Sequence, residues 1–335
     1  MRIATVVYTY NRKELLVKCL ESLLNQIYPI DEIIVVDDAS TDGTEQLLEQ
    51  EFPNTTHIRL SQELGGAGSV REGMKLAYEK GYDWVWVVDD DAWPLDNALE
   101  ELVKVITRGQ IPVDTIGVLV GHRVWPADKV DPSIPRTKFE IIQDTPFAGY
   151  PLSSRKLENG ISLENIESVS QVFFSGILVS RKAIESVGLP LKEFFIFWDD
   201  IEYSQRLTDN GFNLYQVLTS YVVHTLWKPY KSKRFFNRTI SLEDYQDWRS
   251  YYVVRNEILM YKWQYRRDPL RYTFLRTLLR ILIWFLRTVK QIILRWLIDD
   301  TGKIKFILMG AIDGLLGRTG RGKEAPPKSH IVLNK

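Results

Sequence analysis

The chain has 335 residues, 45% of them hydrophobic and 26% charged, with 43 basic and 43 acidic side chains. That length and balance fit one large globular domain, or a catalytic domain with an appendage, and the zero net charge gives no whole-protein attraction to nucleic acid. A single cysteine, Cys19, excludes an intrachain disulfide and a thiolate-rich metal site, and it reads as a small buried hydrophobe.

Met1-Arg2 runs straight into Ile3-Ala-Thr-Val-Val, too short and too quickly polar for a secretory signal, so a cytoplasmic location is expected. Ile3 to Val7 reads as a strand, Arg12 to Asn25 as a helix, Glu32 to Val36 as a strand and Thr44 to Glu51 as a helix. Thr56 to Leu60, Ala67 to Lys80 and Trp84 to Val88 continue as strand, helix and strand. Such alternation predicts an α/β fold with a mostly parallel sheet covered by helices, and ligands then gather at the carboxyl ends of the strands. Polar residues fall there: Tyr8 to Asn11 after the first strand, Asp37-Asp38 after the second and Asp89-Asp90-Asp91 after the fourth.

Three carboxylates closing a buried strand are costly unless a positive charge holds them. Side chains alternate along an extended backbone, so Asp89 and Asp91 share one side, a spacing that suits Mg²⁺ or Mn²⁺. Asp90 points the other way, to donor contact or local structure. In Asp37-Asp38-Ala-Ser-Thr-Asp42-Gly43 the later residues can cap a helix, while one of the paired carboxylates is free to accept from a base N–H or a ribose hydroxyl. Leu64-Gly-Gly-Ala-Gly-Ser-Val-Arg71 is neither a P-loop nor a dinucleotide fingerprint. Gly65 and Gly66 would still let the chain pass close to a ligand, and Arg71 would face a phosphate or pair with an Asp.

From 115 to 224 the pattern is less regular. Strands are expected at Ile116 to Val120, Phe173 to Val179 and Leu214 to Val217, helices at Arg181 to Val187 and Ile201 to Thr208, and an elaborated loop at Pro126 to Ile161. The run Phe194-Phe-Ile-Phe-Trp198 delivers Asp199 and Asp200 to a helix start, where backbone amides favour carboxylates, and Asp200 is the candidate general base. His224, after Tyr221-Val-Val, is a competent metal ligand or a structural imidazole. Trp227 would stack on a sugar or serve as a buried anchor.

From Leu242 to Asp299 the pattern is helical, and Lys262 to Asp300 holds nine basic against three acidic residues. Arg276, Arg280, Arg287 and Lys290 fill an arc of about 80° on a helical wheel. The longest uncharged stretch, Ile281 to Leu286, is too short for a membrane span. A helix lying on an anionic membrane is the expectation, with packing in a homo-oligomer or against the catalytic domain as the alternative. Residues 317–335 read as a mobile tail.

In this order, Val7-Tyr-Thr-Tyr-Asn-Arg12, Val35-Val-Asp-Asp-Ala-Ser-Thr-Asp-Gly43, the Asp-x-Asp element and Trp198-Asp-Asp-Ile-Glu202 resemble the inverting family 2 glycosyltransferases, over about residues 3 to 227. Within that family the glycine segment, the triple Asp and the pairing of Trp198-Asp-Asp200 with His224-Thr-Leu-Trp227 resemble bacterial galactofuranosyl- and rhamnosyltransferases; Glu63 departs from the Asn common at its position. The resemblance implies a GT-A nucleotide-sugar fold over 1–240, followed by a basic helical region over 241–316 that associates with membrane or oligomerises. It implies Mn²⁺ or Mg²⁺ on Asp89, Asp91 and His224, with Tyr8, Asp38, Gly65, Gly66, Arg71 and Asp90 around the donor. Asp200 would be the base, and Trp198, Asp199 and Trp227 would meet the acceptor. The implied partners are a UDP- or dTDP-linked sugar, UDP-galactofuranose before dTDP-rhamnose, and a lipid-linked saccharide at the cytoplasmic side of the cell membrane. A nucleotidyltransferase would need a basic, Gly-rich triphosphate site that Tyr8 to Lys13 does not supply, and a noncatalytic saccharide-binding protein would not need both acid clusters.

Overall fold

The computed structural model describes residues 1–126, 139–140, 165–224, 230–235, 238–243 and 246–322. Trp227, most of the loop expected at Pro126 to Ile161, and 323–335 of the expected tail lie outside the described residues. The chain divides into two compact units, Met1–Lys192 with Asp200–Trp227, and Glu193–Asp199 with Lys228–Lys335.

The first unit opens with β1 (Ile3–Thr9), α1 (Lys13–Leu24), β2 (Glu32–Asp37), α2 (Thr44–Glu51), β3 (Thr56–Arg59), α3 (Gly65–Glu79) and β4 (Trp84–Asp89), in the expected order. There follow β5 (Ala92–Pro94), α4 (Ala98–Thr107), β6 (Ile116–Pro126), β7 (Phe139–Glu140), β8 (Ile166–Val169), β9 (Ile177–Ser180), α5 (Arg181–Val187), α6 (Asp199–Asp209) and β10 (Asn213–His224). The sheet runs β3-β2-β1-β4-β9-β6-β10-β5, with β7 on β6 and β8 on β10. β1, β2, β3 and β4 are mutually parallel, β9 is antiparallel between β4 and β6, and β10 is parallel to β6. The carboxyl ends of β1, β2, β4, β6 and β10 therefore lie along one edge.

Burial on both faces explains the near-continuous apolar strands. Ile3, Val7, Trp84, Trp86 and Val88 pack on one face with Leu16, Cys19, Leu20 and Leu23 of α1. Ala4, Val6, Val85 and Val87 pack on the other with Val70, Met74 and Ala77 of α3. Gly73 permits the second layer to close: a β-carbon there would lie 2.3 Å from Val6 Cγ1. Four elements of this unit, β5, α4, β7 and β8, were not expected. The helix α4 buries Leu99, Leu102, Val103 and Ile106, and β5 pairs antiparallel with the end of β10. Pro94 is tolerated in β5 because that strand is the sheet's edge.

In the second unit a hairpin, β11 (Tyr230–Phe235) with β12 (Arg238–Glu243), precedes α7 (Arg249–Arg267), α8 (Phe274–Leu297) and α9 (Gly302–Leu316). The continuous helical pattern expected to Asp299 is interrupted at Asp268-Pro269, since the residue before proline is biased away from helical backbone, and α8 restarts with Thr273 accepting from the Arg276 amide. α9 approaches α7 through Gly310 and Gly314, where a β-carbon would come within 2.3 Å of the Tyr251 carbonyl oxygen and 2.2 Å of Ile258 Cγ2.

α8 has its polarity reversed. Its buried stripe is Thr277, Trp284, Thr288 and Arg295, and Trp284 Nε1 donates to the Val254 carbonyl at 3.2 Å. Arg280 donates to Gln264 at 2.8 Å and Arg287 pairs with Glu257, so part of the basic arc is turned to α7. The opposite face carries Leu275, Leu282, Leu286 and Trp296, 52% to 73% exposed. Among the described residues no helix is long and apolar enough to cross a membrane.

Candidate active site

Two crossover loops lock together at the carboxyl edge of the sheet. Asn11 and Ala39 take left-handed backbone, with φ of 53° and 63°. The Asn11 amide donates to Ser40 Oγ at 2.9 Å, and Asn11 Oδ1 accepts from the Thr41 amide at 2.7 Å. Asp37 accepts from the Ser40 amide, Asp42 accepts from the Thr44 hydroxyl at 2.6 Å and the Thr44 amide at 3.2 Å, and the N-cap of α2 itself is Gly43, with no side-chain cap.

The strand end of β4 is organised by pairing. In the β5–β10 ladder Ala92 faces His224, which brings that imidazole beside the triple Asp. His224 Nε2 lies 3.4 Å from Asp91 Oδ1 and 3.8 Å from Asp89 Oδ2, and the ligand atoms of the three residues fall within 4.8 Å of one another. Two carboxylates and one imidazole converging in so small a volume fit a divalent cation with oxygen and nitrogen donors, and these three residues are able to hold one. The Tyr8 hydroxyl donates to Asp89.

Arg12, quoted in the first motif but given no role from sequence, is what makes the cluster tenable. One guanidinium nitrogen lies 2.6 Å from Asp90 and another 2.8 Å from Asp91. Burial works against its charge, but Asp90, Asp91 and Asp89 outweigh burial and hold Arg12 above its ordinary range. Donor contact was one role expected of Asp90, and the structure corrects it. Asp90 is wholly enclosed, accepts from Thr9 Oγ1 at 2.7 Å, and is pushed by burial up to about 7 against the pull of Arg12. β4 ends at Asp89, so Asp90 and Asp91 lie in the turn that follows and not on extended backbone, and Asp90 is held by Thr9 and Arg12. Cys19 is buried, with its thiol raised by burial and by these carboxylates.

Asp38 is 3% exposed and holds the start of α3, accepting from the amides of Leu64 at 2.6 Å and Gly65 at 2.8 Å. Burial pushes its carboxyl up to about 7, opposed by the two amides and assisted by Glu63 and Asp37. Gly65 has φ of 74°. Gly66 sits over Tyr8, whose ring would be 3.3 Å from an added β-carbon. Arg71 donates to the Pro190 carbonyl at 3.0 Å, a partner outside the phosphate or Asp expected.

Asp200 stands in the first turn of α6, half-buried, with Oδ1 accepting from the Ile201 amide at 2.7 Å. Glu202, two residues on, is buried and doubly paired with Arg206. Trp198 and Asp199, expected at the acceptor, are 6% and 7% exposed, and the Trp198 indole N–H donates to the Val253 carbonyl at 3.1 Å, an anchoring place.

Residues 5–145 match the family model for glycosyl transferase family 2. The chain is 26% identical over 222 residues to galactofuranosyltransferase GlfT1 of Mycolicibacterium smegmatis, covering 66% of this chain and 70% of that one. It is 27% identical over 216 residues to galactofuranosyltransferase GlfT1 of Mycobacterium tuberculosis, covering 62% of this chain and 64%, under two thirds, of that protein's length. Among solved structures, the mannosyltransferase PcManGT of Pyrobaculum calidifontis, in complex with GDP-Man and Mn²⁺, aligns at a TM-score of 0.50 and 14% identity over 94% of this chain and 87% of that one, a likeness of fold alone. The match over residues 5–145, the GT-A architecture and the carboxylate cluster at its sheet edge together support a family 2 glycosyltransferase.

Proposed function

We propose that the chain is an inverting, divalent-cation-dependent galactofuranosyltransferase that uses UDP-galactofuranose and extends a lipid-linked saccharide at the cytoplasmic face of the cell membrane. The observation that carries this reading is the convergence of Asp89, Asp91 and His224 beside Arg12 in a family 2 domain. The two GlfT1 relatives support the choice of donor sugar.

Asp89, Asp91 and His224 would hold Mn²⁺ or Mg²⁺, and a divalent cation there offsets the charge of a departing nucleoside diphosphate. The imidazole donor favours Mn²⁺ over the strictly oxygen-seeking Mg²⁺. Tyr8 steadies Asp89, and Arg12 turns one oxygen of Asp91 away so that the other faces His224. Each oxygen of Asp38 takes one amide and retains a second lone pair for a base N–H. Gly65 and Gly66 leave the donor room beside Tyr8. Asp200 takes the proton of the acceptor hydroxyl, whose oxygen attacks the anomeric carbon opposite the diphosphate. The old carbon–oxygen bond breaks toward the phosphate, and one displacement inverts the configuration.

The exposed apolar face of α8 supports docking on lipid, with Arg276 and Lys290 exposed along the same helix to meet anionic headgroups. Purified protein with Mn²⁺ is to be assayed against UDP-galactofuranose, other UDP-sugars and dTDP-rhamnose with short lipid-linked acceptors. Transfer from UDP-galactofuranose, lost in Asp200→Asn while Mn²⁺-dependent nucleotide binding persists, is the expected result. Preference for dTDP-rhamnose would overturn the donor assignment, and near-normal transfer by Asp200→Asn would overturn the base.

A further inference from the structure

The segment Phe194 to Trp198 has an improbable backbone. Phe195, Phe197 and Trp198 have φ of 67°, 66° and 70°, three of the seven non-glycine residues with positive φ among the described residues. Bulky L-residues resist that region, so the segment is locally strained at three positions. None of the three is glycine or asparagine, so nothing in the local sequence favours this path.

What holds it comes from α7. Asn256 is fully buried, and its side-chain nitrogen donates to the carbonyls of Phe194 and Ile196 at 2.8 Å and Phe197 at 2.9 Å. Its oxygen accepts from Arg255 Nε at 2.8 Å, which fixes the amide with its N–H groups toward the segment. Arg255, also fully buried, adds a bond to the Phe194 carbonyl at 2.9 Å, and its guanidinium lies over the rings of Tyr251 and Tyr252. Phe195 stacks on Tyr252 with centroids 5.0 Å apart. Two buried polar side chains thus hold three carbonyls of this five-residue run, and Arg255 also donates to the carbonyls of Glu193 and Gly320. A core needing only apolar filling has no use for them there.

We propose that Asn256, with Arg255 behind it, is a positioning residue for glycosyl transfer: it keeps Phe194 to Trp198 in strained left-handed backbone, and so fixes where the chain delivers Asp200, two residues on. This rests on the reading of Asp200 as the base. Such strain relaxes when the donors that hold it are removed, and a reacting group displaced by about 1 Å loses about a hundredfold in rate.

The test is Asn256→Asp, which keeps the side-chain size, removes both donors and sets a carboxylate against three carbonyl oxygens. Wild type, Asn256→Asp and Asp200→Asn are compared for kcat, donor KM, Mn²⁺ affinity and near-UV circular dichroism. A fall in kcat of about a hundredfold per folded molecule is expected, with donor KM and Mn²⁺ affinity within about threefold of wild type. A purely structural role would lower the yield of folded protein without moving kcat, and a kcat within twofold of wild type overturns the proposal. Should Asn256→Asp fail to fold, Asn256→Ser, with one donor for three acceptors, is expected to lose about tenfold in kcat alone. If neither variant folds, Asn256 serves the fold and the proposal falls. Asp200→Asn separates the two readings: if it transfers normally the base assignment fails, whereas if it is inactive and Asn256→Asp is normal only the clamp fails.

Discussion

Replacing Arg12 with methionine keeps an unbranched apolar stem and removes the cation that the described structure places against both Asp90 and Asp91. Two charge-assisted contacts, at 2.6 and 2.8 Å, disappear together. Asp90 is 0% exposed and cannot recover its loss from water, so the variant either buries an uncompensated carboxylate or takes up a proton at neutral pH. Breaking a buried pair from one side costs about 3–5 kcal/mol, and that is the expected loss in urea unfolding at pH 7. A second consequence follows at the cation site. Arg12 occupies one oxygen of Asp91 and leaves the other beside His224, so its removal frees the carboxylate to rotate and should weaken Mn²⁺ binding about 10–100-fold by isothermal titration. Adding Asp90→Asn to Arg12→Met should restore most of the stability, since the uncompensated charge is then gone, but little of the Mn²⁺ affinity. If Arg12→Met alone lies within 1 kcal/mol of wild type, the guanidinium is not what makes the triple Asp tenable.

Three further outcomes are expected. Gly310→Ala places a methyl 2.3 Å from the Tyr251 carbonyl, so it should push α9 from α7 and lower stability by about 1–3 kcal/mol in thermal unfolding, whereas alanine at the solvent-open Gly109, whose φ of 66° costs about 1 kcal/mol, should lose less. Asp38 has its folded midpoint raised from 3.8 to about 7, so its contribution to stability is complete below pH 4 and is lost as the pH rises through 7; relative to Asp38→Asn, wild type should lose up to about 4 kcal/mol over that interval in urea unfolding. Leu282→Asp with Leu286→Asp, on the exposed face of α8, should abolish co-flotation with anionic vesicles at unchanged secondary structure; a change in oligomeric state instead would assign that face to a second copy.

Much of the first unit is legible because physics writes it locally. Each buried strand from β1 to β4 is an apolar run, each helix between them shows one apolar stripe, and charge at the end of a buried strand marks Asp89 to Asp91. The geometry that completes the site is written elsewhere. β5 is three residues long and ends in Pro94, far below the length at which periodicity speaks, yet its register with β10 brings His224 to the cluster. The spacing of Leu99, Leu102, Val103 and Ile106 does carry the helical signature of α4, a signal present and passed over beneath the more conspicuous acids. Arg12 sits in a recognisable motif, but its partners lie 78 and 79 positions away. The reversed polarity of α8 is invisible on a helical wheel, which separates arcs without saying which of them meets a neighbour. Left-handed backbone at Phe195, Phe197 and Trp198 has no sequence signal at all, because its cause is an amide about sixty residues later.

That seven-residue excursion, Glu193–Asp199, also limits how the protein can be dissected. By sequence the family domain looks separable, and a fragment stopping at Trp227 retains every residue from Tyr8 to His224 named at the cluster. It also retains Phe194 to Trp198 while discarding the side chains to which that stretch is tied. Grafting the helices of a relative onto this domain would meet the same obstacle unless the graft brought an equivalent of Asn256. The two halves are interlaced along the chain, so they have to be inherited, expressed and engineered as one piece.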